Sequence, residues 1–459
     1  MSTECTAQGY LFQRLGRRRV EARFDGGRIT SDGGGLLLSA VERRTAILSR
    51  FAGCFTDHRD PSRVRHTVEE LVSQRVYGLA LGYEDLSDHD DWRHDPLLAV
   101  LTGRREPTEQ PLAASSTLNR LELTPADATA ADRYKKIVID QAAVDDLLVD
   151  VFLAAHAEAP ERIVLDLDAT DDPLHGHQEG RFFHGYYGHY CYLPLYIFCG
   201  EHLLCARLRR SDIDGAAGSV DELTRIVGRI RQAWPATRIL VRADSGFCRE
   251  SIMAWCEQHD VDFLLGLARN DRLVAMAEHW LDNAATLHAL TGKPARFFQE
   301  QRYRTRSSWS RTRRVVAKAE HLDKGSNPRF VVTSLPAVEV DARTLYEQLY
   351  CARGDMENRI KEQQLYLFAD RTSAATMRAN QIRLNFSSVA YLLLSALRRL
   401  GLTGTRMAAA QCHTLREKLL KIGARIRVTA RRVWVSLASS CPTRDLFALV
   451  HARLARPPG

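Results

Sequence analysis

The stretch Arg162–Pro173, RIVLDLDATDDP, constrains the fold more than any other part of this chain. Residues 163–167 are mostly apolar and predict a strand that is buried on both faces, like a central strand of a mixed sheet. Asp166 and Asp168 are two residues apart, so on a strand their side chains point to the same face. Burial of carboxylates beside such a strand is unfavourable unless a cation or hydrogen bonds compensate. The alternative is a pair of strand-end aspartates that a turn satisfies.

The length and composition of the chain are those of a folded protein with more than one domain. Its 459 residues are too many for one compact core and predict two or three domains. Apolar residues make up 45% and charged residues 26%, which is ordinary for a globular protein. The net charge of +8 favours an anionic partner such as nucleic acid, although many basic proteins bind none.

Cysteine spacing and the lack of long apolar segments indicate the compartment. The ten cysteines are scattered without a CxxC pair, so we expect reduced thiols rather than zinc fingers or a disulfide framework. The first residues lack the features of a secretory signal, and no apolar run approaches the roughly eighteen residues of a membrane span. We therefore expect a cytoplasmic protein with no membrane partner.

The first third of the chain, residues 1–155, predicts a mostly helical domain. Residues 66–82 have apolar side chains at helical spacing and end on a glycine, and residues 115–122 follow a turn and predict another helix. The first 30 residues also hold a basic arm, which would suit phosphates or simply be solvated. Its arginines are Arg14, Arg17, Arg18, Arg19 and Arg23.

A second acidic position is Asp244. It follows the apolar, strand-like residues 238–243 and precedes a Ser-Gly turn into a helix. Open α/β sheets place their sites where a strand ends and the chain turns into a helix. The alternative is an aspartate that only caps the following helix.

A third acidic position, Glu357, lies on a predicted helix that begins near Thr344. Tyr350, Arg353, Glu357 and Lys361 are separated by three, four and four residues, so one helix face carries them all. The alternative is that Arg353 and Glu357 form only a surface pair, worth roughly a few tenths of a kcal/mol.

Two segments predict antiparallel strands. The runs on either side of Gly200 predict a hairpin, and residues 273–341 alternate with period two and are strongly basic, with Trp309 in a predicted turn. Residues 175–190 form a loop rich in histidine, glycine and aromatic residues. The spacing of its four histidines matches no known zinc ligand set, so a zinc site there is not favoured.

These motifs together resemble those of the DDE transposases. The resemblance rests on Asp168 with Thr170, on Asp244, and on a Y-x2-R-x3-E pattern that ends at Glu357. More narrowly, the sequence resembles transposases of the insertion-sequence family 1380 (IS-1380 type) over nearly its whole length, including FDGGRITSDGGG, LDLDATDDP and RGDMENRIKE. One departure is Gln364, since the related group often has a lysine there. Lys361, one turn earlier, is the candidate substitute.

The resemblance implies an α/β fold with an RNase H-like mixed sheet flanked by helices. An antiparallel β insertion interrupts this core, a helical domain precedes it and a basic C-terminal tail follows it. We expect five segments: 1–155, helical and DNA-end-binding; 156–272, the first part of the catalytic core; 273–341, the basic β insertion; 342–400, the glutamate helix and the helix after it; and 401–459, the basic C-terminal region.

The resemblance also implies a division of roles among the site residues. Asp168, Asp244 and Glu357 would be catalytic and would hold two Mg²⁺ ions, for which Mn²⁺ can substitute. Two ions about 3.5–4 Å apart activate the attacking oxygen and stabilise the leaving oxygen, and a few carboxylates suffice to bind Mg²⁺. The residues expected to contact DNA are Tyr350, Arg353, Lys361 and Trp309. Trp309 would stack on an unpaired base; the alternative is that it packs in a small core.

The implied function is cut-and-paste transposition. The partners would be double-stranded DNA, both the terminal inverted repeats of the element and the target, and a homodimer is expected in the synaptic complex. The protein would be cytoplasmic, and associated with the nucleoid when bound to DNA. One alternative is a catalytically silent, transposase-derived DNA-binding protein. Another is a generic RNase H-like nuclease, which would need neither the long N-terminal segment nor the insertion.

Overall fold

The computed structural model describes residues 9–456 of the chain, which form two compact units. The terminal unit contains the residues up to Ile139 together with those from Val389 onward, and the central unit is Asp140–Ser388. Cys5 and the outermost residues of the predicted first and last segments lie outside the described residues. The five-segment division remains a prediction.

Over residues 9–456, strands and helices follow one another along the chain, often in runs of one kind. The strands are β1 (Tyr10–Leu15), β2 (Arg18–Ala22), β3 (Ile29–Thr30), β4 (Phe55–Asp57), β5 (Ile137–Ile139), β6 (Arg162–Ala169), β7 (Asp172–Pro173), β8 (Phe182–His184), β9 (His189–Tyr192), β10 (Leu195–Cys199), β11 (His202–Arg207), β12 (Arg238–Ala243), β13 (Asp262–Leu267), β14 (Ala295–Tyr303), β15 (Arg313–Leu322), β16 (Gly325–Ser326), β17 (Arg329–Thr333), β18 (Ala424–Thr429) and β19 (Arg432–Leu437). The α-helices are α1 (Leu36–Thr45), α2 (Ile47–Ala52), α3 (Val68–Leu81), α4 (Asp88–Trp92), α5 (Pro96–Leu101), α6 (Ser115–Glu122), α7 (Gln141–Ala154), α8 (Ser219–Ala233), α9 (Glu250–Gln258), α10 (Asp271–Thr291), α11 (Ala342–Thr344), α12 (Gly354–Lys361), α13 (Met377–Leu397), α14 (Cys412–Leu415) and α15 (Arg444–Ala455).

The central unit is built on a nine-stranded mixed sheet. Its strand order is β11-β10-β6-β12-β13-β17-β15-β14, with β16 beside β15. Strands β6, β12 and β13 are parallel to one another, whereas their neighbours on both sides are antiparallel. The stretch 162–169 is therefore an interior strand, and Leu165 and Leu167 have no exposed surface. The mixed α/β class predicted from the sequence is confirmed.

The segment 273–341, predicted to be a β insertion, differs in two respects from that prediction. It begins inside α10, a 21-residue helix that the sequence analysis missed. Asn270 caps this helix by accepting a hydrogen bond from the Leu273 amide, and Gly292 ends it with a φ of 63°. Strands β14, β15 and β17 are observed, but they extend the central sheet, because β17 pairs with β13.

The helix predicted to begin near Thr344 is one continuous but irregular helical run over residues 342–366. It passes from α11 into a π-helical stretch, Leu345–Tyr350, and then a 3₁₀ turn, Cys351–Arg353. The α12 segment follows, and a second π-helical stretch, Glu362–Tyr366, ends the run. Such departures from α geometry mid-helix are frequent at functional sites.

The terminal unit contains the two helices that the sequence predicts most clearly, α3 and α6. Thr67 caps α3 by accepting a hydrogen bond from the Glu70 amide, and Gly82 ends the helix with a φ of 95°. Two small sheets, β4–β5 and β3–β18–β19, belong to the same unit. The last of these contains an antiparallel hairpin formed by β18 and β19.

Two further findings concern residues 9–456. None of the helices there has both the length and the apolar character that crossing a membrane requires. None of the nine cysteines of this range forms a disulfide bond.

Trp309 lies in the hydrophobic core of the central unit. Its side chain is 4% exposed, and its ring meets that of Tyr303 edge-on with 5.6 Å between the ring centroids. The Arg313 guanidinium lies 5.5 Å from the ring centroid, and the Trp309 amide donates a hydrogen bond of 2.8 Å to Thr305 Oγ1. This environment favours the core alternative, and a role in base stacking remains a prediction.

We expect Trp309→Ala to lower the free energy of unfolding by about 3–5 kcal/mol, because a large buried ring would leave a cavity. Trp434→Ala is the matched control, since that ring is 45% exposed on β19, and a loss below about 1 kcal/mol is expected. Urea unfolding followed by circular dichroism measures both. Equal losses would show that Trp309 does not contribute to the core.

Candidate active site

Two neighbouring parallel strands bring the first two acidic residues together. Ala243 on β12 is paired with Leu167 on β6, so Asp244 and Asp168 follow at adjacent positions of the sheet. Asp244 also accepts a hydrogen bond of 2.8 Å from the Gly246 amide, which caps the 3₁₀ turn after the strand. The capping alternative and the site prediction are therefore compatible at this residue.

Arg353 links Glu357 to Asp168. One guanidinium nitrogen, Nη2, donates to Glu357 Oε1 at 2.8 Å, and Nη1 lies 3.5 Å from Asp168 Oδ2. The pair of Arg353 with Glu357 is therefore more than a surface pair. The helical run 342–366 thus brings the third acidic residue to the edge of the sheet where the first two lie.

Around Asp168, acidic groups outnumber basic groups. Burial raises the pKa of the Asp168 carboxyl to about 7; the Arg353 guanidinium opposes this rise, whereas the carboxylates of Asp244 and Glu357 increase it. The same partners raise the pKa of Arg353 against the effect of its burial. Three acidic groups and one arginine form a cluster that would favour further positive charge.

The three carboxylates are ligands of the type that magnesium prefers. Mg²⁺ prefers oxygen ligands and is usually held by few carboxylates, which Asp168, Asp244 and Glu357 supply. Over residues 9–456, however, no three acidic, histidine or cysteine side chains are gathered closely enough to hold a metal ion. Arg353 instead partly balances Asp168 and Glu357. The residues fit a magnesium site in chemical type, and in this arrangement the arginine is their counter-ion.

Gly266 is a site residue that the sequence analysis missed. A Cβ atom at this position would lie 2.5 Å from Tyr350 Oη and 2.7 Å from the Ser245 amide nitrogen. Only glycine therefore allows Tyr350 to reach the turn that carries Asp244. The available signal was a glycine inside an apolar strand, which often marks a close backbone approach.

A cleft adjoins Tyr350. It has a volume of about 340 Å³, and its lining includes Ser245, Gly266, Arg269, Arg329 and Tyr346. Burial raises the pKa of the Tyr350 hydroxyl, so that this group remains a proton donor. Two arginines and a phenol beside a carboxylate cluster suit a phosphate group.

Asp166 is part of the structure rather than of the carboxylate cluster. Arg242 on β12 donates two hydrogen bonds to it, of 2.6 and 2.8 Å, and Asp166 is 5% exposed. Arg242 also donates to the carbonyl oxygen of Leu349 in the helical run. Because Arg242 binds both of its oxygens, Asp166 is a poor substitute for Asp168 as a ligand.

Gln364, the departure from the related group, has a structural partner. Its Nε2 donates to Asp172 Oδ1 at 2.8 Å and to the Asp171 carbonyl oxygen at 3.2 Å. Asp172 is completely buried, and its second oxygen, Oδ2, has no hydrogen-bond partner. Lys361 is exposed on the same helical run. The glutamate helix is thereby tied to the segment that follows Asp168.

The structure thus brings together Asp168, Asp244, Tyr350, Arg353 and Glu357. Lys361 lies exposed one turn beyond Glu357, and the contacts of Trp309 lie within the core instead. Each of these residues is predicted from the sequence, whereas Gly266 and Asp172 are not. Asp172 carried a signal, because it lies in the stretch LDLDATDDP, but sequence alone does not show that it is buried.

Comparison with known proteins identifies the family of this chain. A family model described as "Transposase DDE domain group 1" matches residues 12–458, so the chain belongs to that family of DDE transposases. No curated protein matches the chain. Among solved structures, the chain is similar to the cryo-EM structure of a piggyBac transposase synaptic complex with hairpin DNA, with a TM-score of 0.42 and 11% identity. The match covers 94% of this chain and 84% of that one.

Asp172 predicts a pH dependence of stability. Burial raises the pKa of this carboxyl to about 8, opposed by Gln364 and increased by Asp370 and Asp171. An unfolded aspartate has a pKa of about 3.9. Between these values the folded protein holds one proton more than the unfolded chain, so this residue destabilises the fold as pH rises.

We therefore expect Asp172→Asn to become increasingly stabilising relative to the natural protein as pH rises from 5 to 8. The asparagine keeps the acceptor for Gln364 and cannot ionise. Thermal unfolding at four pH values measures the difference between the two midpoints. A difference that does not change with pH would mean that Asp172 ionises normally in the fold.

Proposed function

We propose that this protein is a cut-and-paste DNA transposase with an RNase H-like catalytic core. The observation that carries the proposal is the convergence of Asp168, Asp244 and Glu357 from three separate elements around Arg353. Membership of a DDE transposase family supports it. In the proposed reaction, water cuts the end of an insertion sequence, and the freed 3′ hydroxyl then attacks target DNA at the same site.

Asp168, Asp244 and Glu357 would hold two Mg²⁺ ions, with Mn²⁺ as a substitute. Bound ions of this kind supply activation of the attacking oxygen and stabilisation of the leaving oxygen. Asp168 is held by the sheet and Asp244 by the capped turn that follows β12, whereas the side chain of Glu357 is 44% exposed on its helix. The glutamate would therefore adjust its position most as the site fills.

Arg353, Tyr350 and Lys361 would position the DNA strand. The Arg353 guanidinium already lies between two of the acidic residues, where its planar group can bind a phosphate through two hydrogen bonds. Tyr350 reaches the Asp244 turn over Gly266 and would donate its hydroxyl proton to a phosphate oxygen. Lys361 is exposed one turn beyond Glu357 and would contact the backbone farther along the strand.

The terminal unit offers an independent surface for DNA. A cavity of about 470 Å³ in this unit is lined by arginines and a histidine together with short apolar residues. The basic residues are Arg59, Arg63, Arg65, Arg93, Arg120 and His66. Arg59 and Arg63 pair with Asp57 and Asp60, whereas no described carboxylate forms an ion pair with Arg65 or Arg93. We propose that this cavity binds phosphates of the terminal inverted repeats.

Assembly and location follow from the proposed reaction. Joining two element ends needs two active sites, so a homodimer is proposed for the synaptic complex. The proposed location is the cytoplasm, at the nucleoid when DNA is bound. The alternative of a catalytically silent DNA-binding protein is less favoured, because all three acidic residues are present and converge.

We expect Asp168→Asn, Asp244→Asn and Glu357→Gln each to abolish cleavage while leaving DNA binding largely intact. Each change removes a ligand charge with little change in volume. The assay is cleavage, with Mg²⁺, of DNA that carries the terminal repeats flanking the gene, and binding is measured in parallel by gel shift.

Asp355→Asn is the control, because Asp355 is exposed on the same helix, two residues before Glu357. It should cleave at the natural rate. If one of the three variants also cleaved normally, its residue would be wrongly assigned, and if the natural protein bound these ends without cutting them, the silent alternative would hold.

We expect binding to the element ends to weaken steeply with salt, with a log–log slope of about −5 or steeper for six or more phosphate contacts. The double variant Arg65→Gln and Arg93→Gln should make the slope shallower by about 2, since each lost phosphate contact lowers the magnitude of the slope by about 1. Arg444→Gln, on an arginine whose side chain is 74% exposed, is the control. An unchanged slope in the double variant would exclude the cavity as a phosphate site.

A further inference from the structure

The hairpin formed by β8 and β9 exposes an unusual number of aromatic rings. Four rings within nine residues are more than two fifths exposed. They are Phe182 at 46%, Phe183 at 49%, Tyr186 at 87% and Tyr190 at 43%. Exposed apolar groups that are clustered in this way mark interaction surfaces, and the proposed mechanism does not use them.

The hairpin is attached to the end of the strand that carries Asp168. His189 Nε2 lies 2.7 Å from Asp171 Oδ2, and the Leu174 amide donates to the Tyr190 carbonyl oxygen at 2.8 Å. Burial raises the pKa of the Tyr187 hydroxyl to about 12, and the carboxylates of Asp171 and Asp168 raise it further. The hairpin therefore lies within the electrostatic reach of the candidate active site.

One face of the hairpin combines rings with a positive charge. Phe183 and Tyr190 are cross-strand partners with 5.5 Å between ring centroids, and the Arg181 guanidinium lies 4.6 Å from the Tyr190 centroid. Because side chains alternate along a strand, Phe182 points to the opposite face. The tip turns at Gly188, which has a φ of 75°, and leaves Tyr186 the most exposed of the four rings.

Exposed aromatic rings beside an arginine suit a DNA strand with unpaired bases. A nucleobase offers a flat face that stacks on an aromatic ring whatever the sequence, and an adjacent arginine attracts the phosphates of the same strand. In a duplex these base faces are covered by stacking on neighbours. A strand whose phosphate lies at Asp168 would pass this hairpin, so the rings would meet bases that are unpaired next to the cut.

We propose that the β8–β9 hairpin binds unpaired bases of the DNA strand that enters the active site, through Phe183 and Tyr186. The proposal rests on the proposed function for the identity of that strand. Tyr190 supports Phe183 edge-on, and Arg181 contributes charge toward the backbone. Cleavage of paired DNA would then depend on these rings more than cleavage of DNA whose bases are already unpaired.

The first test measures binding without cleavage. A fluorescein-labelled oligonucleotide of about fifteen thymidines, in EDTA, is titrated with the full chain and followed by fluorescence anisotropy. Phe183→Ala and Tyr186→Ala should each weaken binding about 5- to 150-fold, the effect expected of one lost stacking contact. Binding of a duplex of equal length should change far less. Phe182→Ala is the matched control, because the same residue type is removed from the opposite face.

The second test compares cleavage of element ends that are fully paired with ends that carry mismatches beside the cut. The Phe183 and Tyr186 variants should cut paired ends more slowly and recover on mismatched ends, whereas Phe182→Ala should cut both normally. Thermal unfolding of each variant within about two degrees of the natural protein shows that the fold is intact.

The outcomes separate this proposal from the proposed function. If the natural protein cuts no DNA but the two variants lose single-strand binding, the proposed function fails and the hairpin site stands. If both variants bind thymidine oligomers as the natural protein does, the hairpin proposal is overturned. If the two variants differ from the natural protein only in the mass measured by light scattering, the rings contact a second copy of the chain. That outcome also overturns the hairpin proposal.

Discussion

The buried pair of Asp166 and Arg242 is the interaction on which the candidate active site depends. It joins two parallel strands of the central sheet by two short hydrogen bonds, and the same arginine binds the carbonyl oxygen of Leu349. An ion pair of this kind is weak support for stability, since desolvation offsets much of its attraction. Its contribution is instead positional. It fixes the helical run that carries Glu357 against the strands that carry Asp168 and Asp244.

Much of the central unit could be predicted from sequence because its signals are local. The apolar run before Asp168 predicts an interior strand, and residues 238–243 predict the next one with the observed bounds. The spacing of Tyr350, Arg353 and Glu357 predicts a shared helix face, and all three gather at the carboxylate cluster. In each case a pattern within a dozen residues determines the outcome, and the sheet then brings the pieces together.

The rest depends on contacts between distant residues, which no local pattern encodes. Arg353 serves as the counter-ion of Asp168, and Gln364 binds Asp172 across 192 positions. Neither partner can be found without the fold. The β strands of residues 273–341 were correctly predicted as strands, but their place at the edge of the central sheet follows from the pairing of β17 with β13. Trp309 shows a related limit, because its place in the hydrophobic core of the central unit depends on the whole fold.

The irregular helical run also limits how this chain can vary in length. Its π-helical and 3₁₀ turns, Leu345–Tyr350 and Cys351–Arg353, carry Tyr350 and Arg353 and lead directly into the helix that carries Glu357. Each residue of an α-helix rotates the chain by about 100° around the helix axis. Loss or gain of a single residue between Leu345 and Arg353 would therefore turn Glu357 away from the sheet, even though no site residue had been replaced. Natural variants of this protein should tolerate length changes in the loops that flank the run, and not within it.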